Sequence, residues 1–307
     1  MENVISIKGL SKSYGELKAL DNVSIEIKSK TIFGLVGPDG AGKSTLIKIL
    51  CGLLKPDSGY VEILGIDLSK GIDKIKNDIG YLSQRFSLYT DLTVDENIEF
   101  LADIHGLKDF KKRRDELLQF TRLTNFRKFL AGKLSGGMKQ KLALACTLIY
   151  RPRIIFLDEP TTGVDPVSRR EFWIILSNLL KEDITVIIST PYMDEAERFN
   201  RLAMLDNGKV LALDTPNNIK AMMNELIYEV VCSPVRKAYQ ILKENSEFEV
   251  QIFGDRLNVG AEENADNELR IRRMLEDNSV IITDLRKISP SLENAFIHLI
   301  KENNLHE

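Results

Sequence analysis

Three short segments carry residues whose types and spacing suit phosphate chemistry. The first is GPDGAGKST, Gly37 to Thr45, which fits G-x-x-x-x-G-K-[ST]. Its glycines let the backbone wrap tightly, so that successive N–H groups converge on phosphate oxygens. A helix opening directly after it adds a partial positive charge. Lys43 is long enough to reach β- and γ-phosphates, and the Ser44 hydroxyl suits Mg²⁺. The second segment is IIFLDEP, Ile154 to Pro160. An apolar strand here delivers two adjacent carboxylates at its C-terminal end, where open α/β sheets hold their ligands. Asp158 suits Mg²⁺, directly or through water, and Glu159 suits orienting and deprotonating an attacking water. The third is LSGGMKQK, Leu134 to Lys141. Ser135 is a capping residue, and Gly136 and Gly137 free the backbone at a helix start, which makes an anion-binding end. Taken alone, the second segment reads better as a turn with two solvated acids, and the third as a plain capped helix.

Regular elements must hold these segments in place. TIFGLVG is almost continuously apolar and predicts a buried parallel strand feeding the first segment, with TLIKILCGLL as the helix leaving it. IIFLD and TVIIST have the same character, and each precedes a turn and a helical stretch, the βαβ rhythm of an α/β fold. VISIKGL and VSIEIK alternate apolar and polar residues and predict an antiparallel β subdomain. Between Ser87 and Tyr150 the patterns are helical, as in VDENIEFLADIHGL and KRRDELLQFTRL, which predicts an inserted helical subdomain over about residues 87–150. Its charge run, Lys111 to Arg114, reads as a solvated helix face. AMLDNGKVLALD predicts a hairpin turning at Asn207-Gly208, and TPNNIKAMM a helix with Pro216 at its first position.

From Glu225 onward the pattern repeats on a smaller scale. LIYEVVC, FEVQIFG, RLNVGA and SVIITDLRKI read as strands, and PVRKAYQILKE and ADNELRIRRMLED as helices. The order β-α-β-β-α-β is that of an α+β, ferredoxin-like unit, and a last helix, PSLENAFIHLIKE, follows. The expected domains are therefore 1–225 and 226–307.

Composition narrows the classes. The 307 residues are 43% hydrophobic and 28% charged, with a net charge of −3. That is an ordinary globular balance, and it argues against a strongly basic nucleic-acid binder, so no nucleic-acid partner is expected. No apolar run approaches the ~18 residues that span a bilayer, and MENVISIKGL lacks the basic and apolar regions of a secretory signal. Cys51, Cys146 and Cys232 are too few and too scattered for a disulfide framework or a zinc site and read as small buried apolar residues in a reducing cytoplasm.

Together the three segments resemble the ATP-binding cassette (ABC) ATPases, and the resemblance covers roughly Asn3 to Met223. It implies a P-loop NTPase core of the ABC type, with ATP and Mg²⁺ as cofactors. The implied nucleotide contacts are Gly37, Asp39, Gly40, Ala41, Gly42, Lys43, Ser44 and Thr45, with Tyr14 resembling the aromatic residue that stacks on adenine. Ser44, Asp158 and Gln84 are the implied metal group, and Glu159, Gln84 and Lys43 the catalytic one. In this family two cassettes sandwich two ATPs head to tail, so Ser135, Gly136 and Gly137 would face the P-loop of a second cassette, identical or not. Asp165, in TTGVDP, resembles the loop that crosses that interface. One position departs from the pattern. Where the family has a histidine, in a context like S-T-H-x-M-D-E-A-E, this chain reads STPYMDEAE with Pro191. Proline has no side-chain donor and no N–H, which puts the turnover of the chain's own site in question.

The tail and the ending SPSLENAFIHLIKE resemble the C-terminal extension of cassettes that drive bacterial drug and antibiotic-resistance exporters. The implied function is an ATP-hydrolysing subunit of an exporter, peripheral on the cytoplasmic face of the membrane. Its implied partners are separate permease subunits, contacted near Arg85 to Asn97, and a periplasmic adaptor. An importer ATPase and a low-turnover regulatory cassette are the alternatives.

Overall fold

The computed structural model describes residues 2–305 except 85–87, 224, 246, 263 and 265. The chain divides into two compact units, Met1–Pro216 and Asn217–Glu307. The boundary expected at 225/226 lies later than this division. It would cut through the first strand of the second unit, which begins at Glu225 itself.

In the first unit, β1 (Asn3–Tyr14) and β2 (Leu17–Lys28) pair antiparallel. Ile5, Ile7, Ile25 and Ile27 point inward from them and are buried, the alternation of a sheet with one wet face. Next come β3 (Ile32–Val36), α1 (Lys43–Leu50), β4 (Ser58–Ile63), β5 (Ile66–Asp67), α2 (Leu68–Ile75) and β6 (Ile79–Leu82). The helical segment holds α3 (Val94–Ile104), α4 (Lys111–Phe120) and α5 (Gly136–Leu148). The chain then runs through β7 (Ile154–Asp158), α6 (Pro166–Leu179), β8 (Thr185–Thr190) and α7 (Met193–Ala196) to β9 (Arg201–Asp206) and β10 (Lys209–Asp214). Asn207 and Gly208, at the last turn, both have positive φ (45° and 77°), as a tight hairpin requires.

Two sheets result. One is antiparallel, in the order β2-β1-β4-β5, and the other runs β10-β9-β3-β8-β7-β6, parallel from β9 to β6 with β10 antiparallel at one edge. Every residue of β3, β7 and β8 is buried, as expected for strands covered on both faces. A single core joins Ile5, Ile7 and Ile25 of the antiparallel sheet to Leu46 and Ile47 of α1 and Phe156 and Ile187 of the parallel sheet. Each such side chain contributes about 1.5–3 kcal/mol of burial free energy, so α1 and the end of its loop at Ala41 are anchored in that core.

The topology positions the chemistry. β3, β8 and β7 are neighbours running in the same direction, with Val36 beside Thr190 and Asp158 beside Ser189. Their C-terminal ends therefore gather the glycine loop, the Ser189–Pro191 turn and the Asp158–Glu159 pair at one sheet edge. In the helical segment, Thr93 and Glu96 form a capping box at the start of α3, which fixes where that helix begins. The charge run on α4 is only half solvated. Lys111 and Lys112 are exposed, but Arg113 pairs with Glu182 and Arg114 with Glu99 and Asp95. Cys146 and Cys232 are buried, Cys51 is half-buried, and all three are free thiols.

Helix α8 (Pro216–Ala221) spans the division between the units. The second unit has β11 (Glu225–Ser233), α9 (Val235–Lys243), β12 (Glu249–Phe253), β13 (Arg256–Glu262), α10 (Asn267–Glu276), β14 (Ile281–Ile288) and α11 (Leu292–Leu305). Its sheet is wholly antiparallel in the order β12-β13-β11-β14, the arrangement of a ferredoxin-like unit. It has its own core, in which Val230, Leu257 and Val259 of the sheet meet Ala238 and Leu242 of α9 and Ile271 and Leu275 of α10.

Candidate functional site

The loop after β3 turns through Gly40 (φ 84°) and Gly42 (φ 98°), and Gly42 is the residue that caps α1. A Cβ on Gly42 would stand 2.3 Å from the Ala19 carbonyl oxygen, so neither its dihedral nor its surroundings admit a side chain. Lys43, the first residue of α1, is 3% exposed. Its Nζ donates to the carbonyls of Gly37 (2.8 Å) and Pro38 (2.9 Å) and lies 3.6 Å from Glu159 Oε1. Burial pushes the Lys43 pKa down, and Glu159 opposes this most strongly, followed by Asp39 and Asp158.

Asp158 and Glu159 end β7 with different partners. Asp158 Oδ1 accepts from Ser44 Oγ at 2.8 Å and from Ser189 Oγ at 2.7 Å. Ser189 Oγ also accepts from the Glu159 N–H at 2.9 Å, so one buried hydroxyl bridges both acidic positions. Glu159 itself has φ 48°, a left-handed conformation that is costly for a side-chain-bearing residue. The turn aims its carboxylate at the loop, where Oε2 accepts from Gln84 Nε2 (2.9 Å) and Thr162 Oγ1 (3.3 Å).

These groups open on a cavity of about 370 Å³ lined by Tyr14, Leu17, Asp39, Lys43, Gln84 and Glu159, among others of the loop. Tyr14 is half exposed at its mouth. Every loop residue expected to contact nucleotide from Asp39 to Thr45 lines it, and Gly37 enters through its carbonyl bond to Lys43. Of the expected metal group, Ser44 and Asp158 are in direct contact, whereas Gln84 bonds to Glu159. The hydroxyl and carboxylate oxygens fit a hard divalent cation. A larger cavity, of about 570 Å³, lies at the opposite ends of the strands beside Ile154 and Thr185, away from the glycine loop, Asp158 and Glu159.

The third segment does not join this cavity. Ser135 caps α5 through Met138 N–H (3.3 Å), and Ser135 and Gly136 are exposed. Gly137 is buried against α6, where a Cβ would come within 2.4 Å of Ser168 Cβ. Asp165 caps α6 by accepting from the Val167 and Ser168 N–H groups. One chain thus presents a phosphate loop and, outside that cavity, an exposed helix N-terminus.

Pro191 follows Thr190, whose carbonyl accepts from Gly37 N–H (3.4 Å), so the departing residue borders the glycine loop. The turn around it is braced. Thr190 Oγ1 donates to Glu195 Oε2 (2.8 Å), and Arg169 packs on the Tyr192 ring (4.7 Å) while facing Glu195. Of the histidines, His105 stacks on Tyr150, His298 belongs to the second unit, and His306 lies outside the described residues. Arg85, Phe86 and Ser87, at the start of the expected permease contact, also lie outside them. From Tyr89 onward that segment is tied by Asn97, fully buried, which bonds to Tyr89, Leu92 and Thr93 backbone groups and leaves the Tyr89 ring half exposed.

Sequence reasoning did not single out Ser189 or Thr162. Ser189's signal was available: it ends an otherwise apolar buried strand, where a hydroxyl needs a partner.

A family model described as ABC transporter matches residues 20–162. YbhF of Escherichia coli K12, named a probable multidrug ABC transporter ATP-binding protein, is 42% identical over 223 residues. That alignment covers 72% of this chain and 38% of YbhF, so the chain spans well under half of that relative. The daunorubicin resistance ATP-binding protein DrrA3 of Streptomyces coeruleorubidus is 32% identical over 303 residues, 97% of this chain and 96% of DrrA3. Among solved structures, the dimeric ATP-binding cassette MJ0796 bound to ADP and Pi aligns with TM-score 0.63 and 31% identity, over 69% of this chain and 98% of that one.

Proposed function

This chain belongs to the ATP-binding cassette transporter family, and on that premise we propose that it is the ATP-binding subunit of an exporter. It binds MgATP, closes head to tail on a second cassette, and drives separate permease subunits from the cytoplasmic face of the membrane. The observation that carries the reading is the convergence of Lys43, Ser44, Gln84, Asp158 and Glu159 within one hydrogen-bonded cluster at a single sheet edge. Among the described residues, no helix is long and apolar enough to cross a membrane.

The residues divide the work by their chemistry. Lys43 exchanges its bonds to the Gly37 and Pro38 carbonyls for β- and γ-phosphate oxygens, with the loop N–H groups around them. Tyr14 stacks on the base. Ser44 and Asp158 would hold Mg²⁺, which would screen phosphate charge. Glu159, already turned into the cavity, accepts the proton of the attacking water, and Gln84 orients that water from the bond it makes with the same carboxylate. Ser135 and Gly136 supply their N–H end to the γ-phosphate held by the partner cassette. Loss of that phosphate removes the bridge and releases the dimer.

Export is favoured by the alignments that run through the second unit. DrrA3, and the linearmycin resistance ATP-binding protein LnrL of Bacillus subtilis at 29% identity over 98% of its length, are named for drug resistance. The cargo class we infer is accordingly a small organic drug or antibiotic. The permease contact we infer lies on the described part of the expected segment, Tyr89 to Asn97, where the Tyr89 ring is half exposed. No relative named above carries an adaptor in its name, and the proposal does not include one.

The test is Glu159→Gln, which keeps shape and removes proton-accepting capacity. ATP should trap it as a dimer on size exclusion while turnover falls. A variant that binds ATP yet stays monomeric at saturation refutes the sandwich for this chain alone.

A further inference from the structure

The second unit holds a cluster that the ATP chemistry does not use. Glu225 at the start of β11, Glu249 at the start of β12 and His298 in α11 each offer one ligand atom, and these atoms all lie within 4.8 Å of one another. The sheet register explains the meeting. Glu249 and Ile227 both stand opposite Gly260 of β13, one from each side. Glu225, two residues before Ile227, therefore shares their face, across which α11 lays His298.

Three features show a site with its donors arranged and one contact missing. Glu225 Oε2 is a buried atom with no hydrogen-bond partner among the described residues. Gly260 leaves that oxygen its room, since a Cβ there would lie 2.5 Å from it. Glu249 is held by its other oxygen: Oε1 accepts from Lys301 (2.6 Å) and Gln251 (3.2 Å), and Gln251 is in turn bonded by the fully buried Asn294. Oε2 faces His298 Nδ1 at 3.7 Å, too far for a hydrogen bond. The distal ring nitrogen, Nε2, lies 3.4 Å from Glu302 Oε1, and a carboxylate on that side of the ring is the partner type that orients a metal-binding imidazole. Burial, and then the facing Glu249, raise the pKa of Glu225, with His298 and Lys301 opposing.

We propose that Glu225, Glu249 and His298 form a binding site for a divalent transition-metal ion, best suited to Zn²⁺. Two carboxylates and a neutral imidazole balance its charge, and three protein ligands leave a fourth position open. A mixed nitrogen and oxygen set favours Zn²⁺ over Mg²⁺, which seeks six oxygens. The ion would join β11, β12 and α11 at one point.

Calorimetry tests this on the full chain, free of nucleotide, titrated with Zn²⁺ in buffer containing excess Mg²⁺. The expected result is one saturable site, weakened at least about 10-fold in both Glu225→Gln and His298→Ala, with ATP binding unchanged. Glu225→Gln is isosteric and keeps the proposal falsifiable if His298→Ala fails to fold. Co²⁺ in place of Zn²⁺ should give a visible absorption band that His298→Ala removes. Absence of Zn²⁺ binding by the wild type, or equal binding by Glu225→Gln, overturns the proposal.

Discussion

Replacing Ser189 by alanine should cost more than its single missing oxygen suggests. The residue is fully buried, and its hydroxyl donates to Asp158 at 2.7 Å while accepting from the Glu159 N–H at 2.9 Å. Losing a hydrogen bond to a charged acceptor costs about 1.5–3 kcal/mol, and orphaning a buried N–H adds about 1–3 kcal/mol. The two share one atom and do not sum fully, so the expected loss is about 2–5 kcal/mol. The only tryptophan, Trp173, is buried in α6 of the same unit. Urea unfolding followed by its fluorescence therefore reads the relevant unit. The same bond helps hold Glu159 at its positive φ, so turnover at saturating MgATP should fall while ATP affinity changes little. A stability change under about 0.5 kcal/mol, with normal turnover, would refute the bridging role.

Lys43→Ala should weaken ATP binding by about 10- to 150-fold, the equivalent of one charge-assisted bond; unchanged affinity by calorimetry would mean the loop is not the site. Gly137→Ala should separate α5 from α6, lowering the thermal midpoint by several degrees, because its Cβ would meet Ser168 Cβ at 2.4 Å; an unshifted midpoint would show that the helices yield freely. Pro191→His restores a donor beside the loop and should raise the ATPase rate, by up to about 10²–10³ if it reaches transition-state charge. No rise in a folded, ATP-binding variant would indicate that another group already does this work.

The parallel strands were legible because burial on both faces leaves an unmistakable apolar run, as in IIFLD and TVIIST. The β-α-β-β-α-β order of the second unit was legible for a related reason, since its strands and helices alternate at short, clear intervals. The unit boundary was less so. Residues 216–225 carry no linker composition, and an arriving helix and a departing strand look alike at their ends. Ser189 marks itself only as a hydroxyl ending a buried apolar strand, and its partners come from the end of β7; Thr162 gains its role from Glu159, three residues before it in the same turn, once that carboxylate is aimed at the loop. Glu225, Glu249 and His298 are separated by 24 and 49 residues, with no spacing that marks them in advance, and only strand register and α11 bring them together.

The exposed end of α5 at Ser135 and Gly136 does not line the chain's own cavity, and on the proposed head-to-tail closure it makes each cassette half of two sites. Such a protein works at a rate set by how often two copies meet. Free in solution at low abundance, that encounter is rare. Two cassettes docked on one permease pair, as proposed, would face each other at an effective concentration that tethering raises to the millimolar range, about 10³ above a micromolar pool. On the proposed function, assembly on the membrane would then act as a licence for ATP consumption.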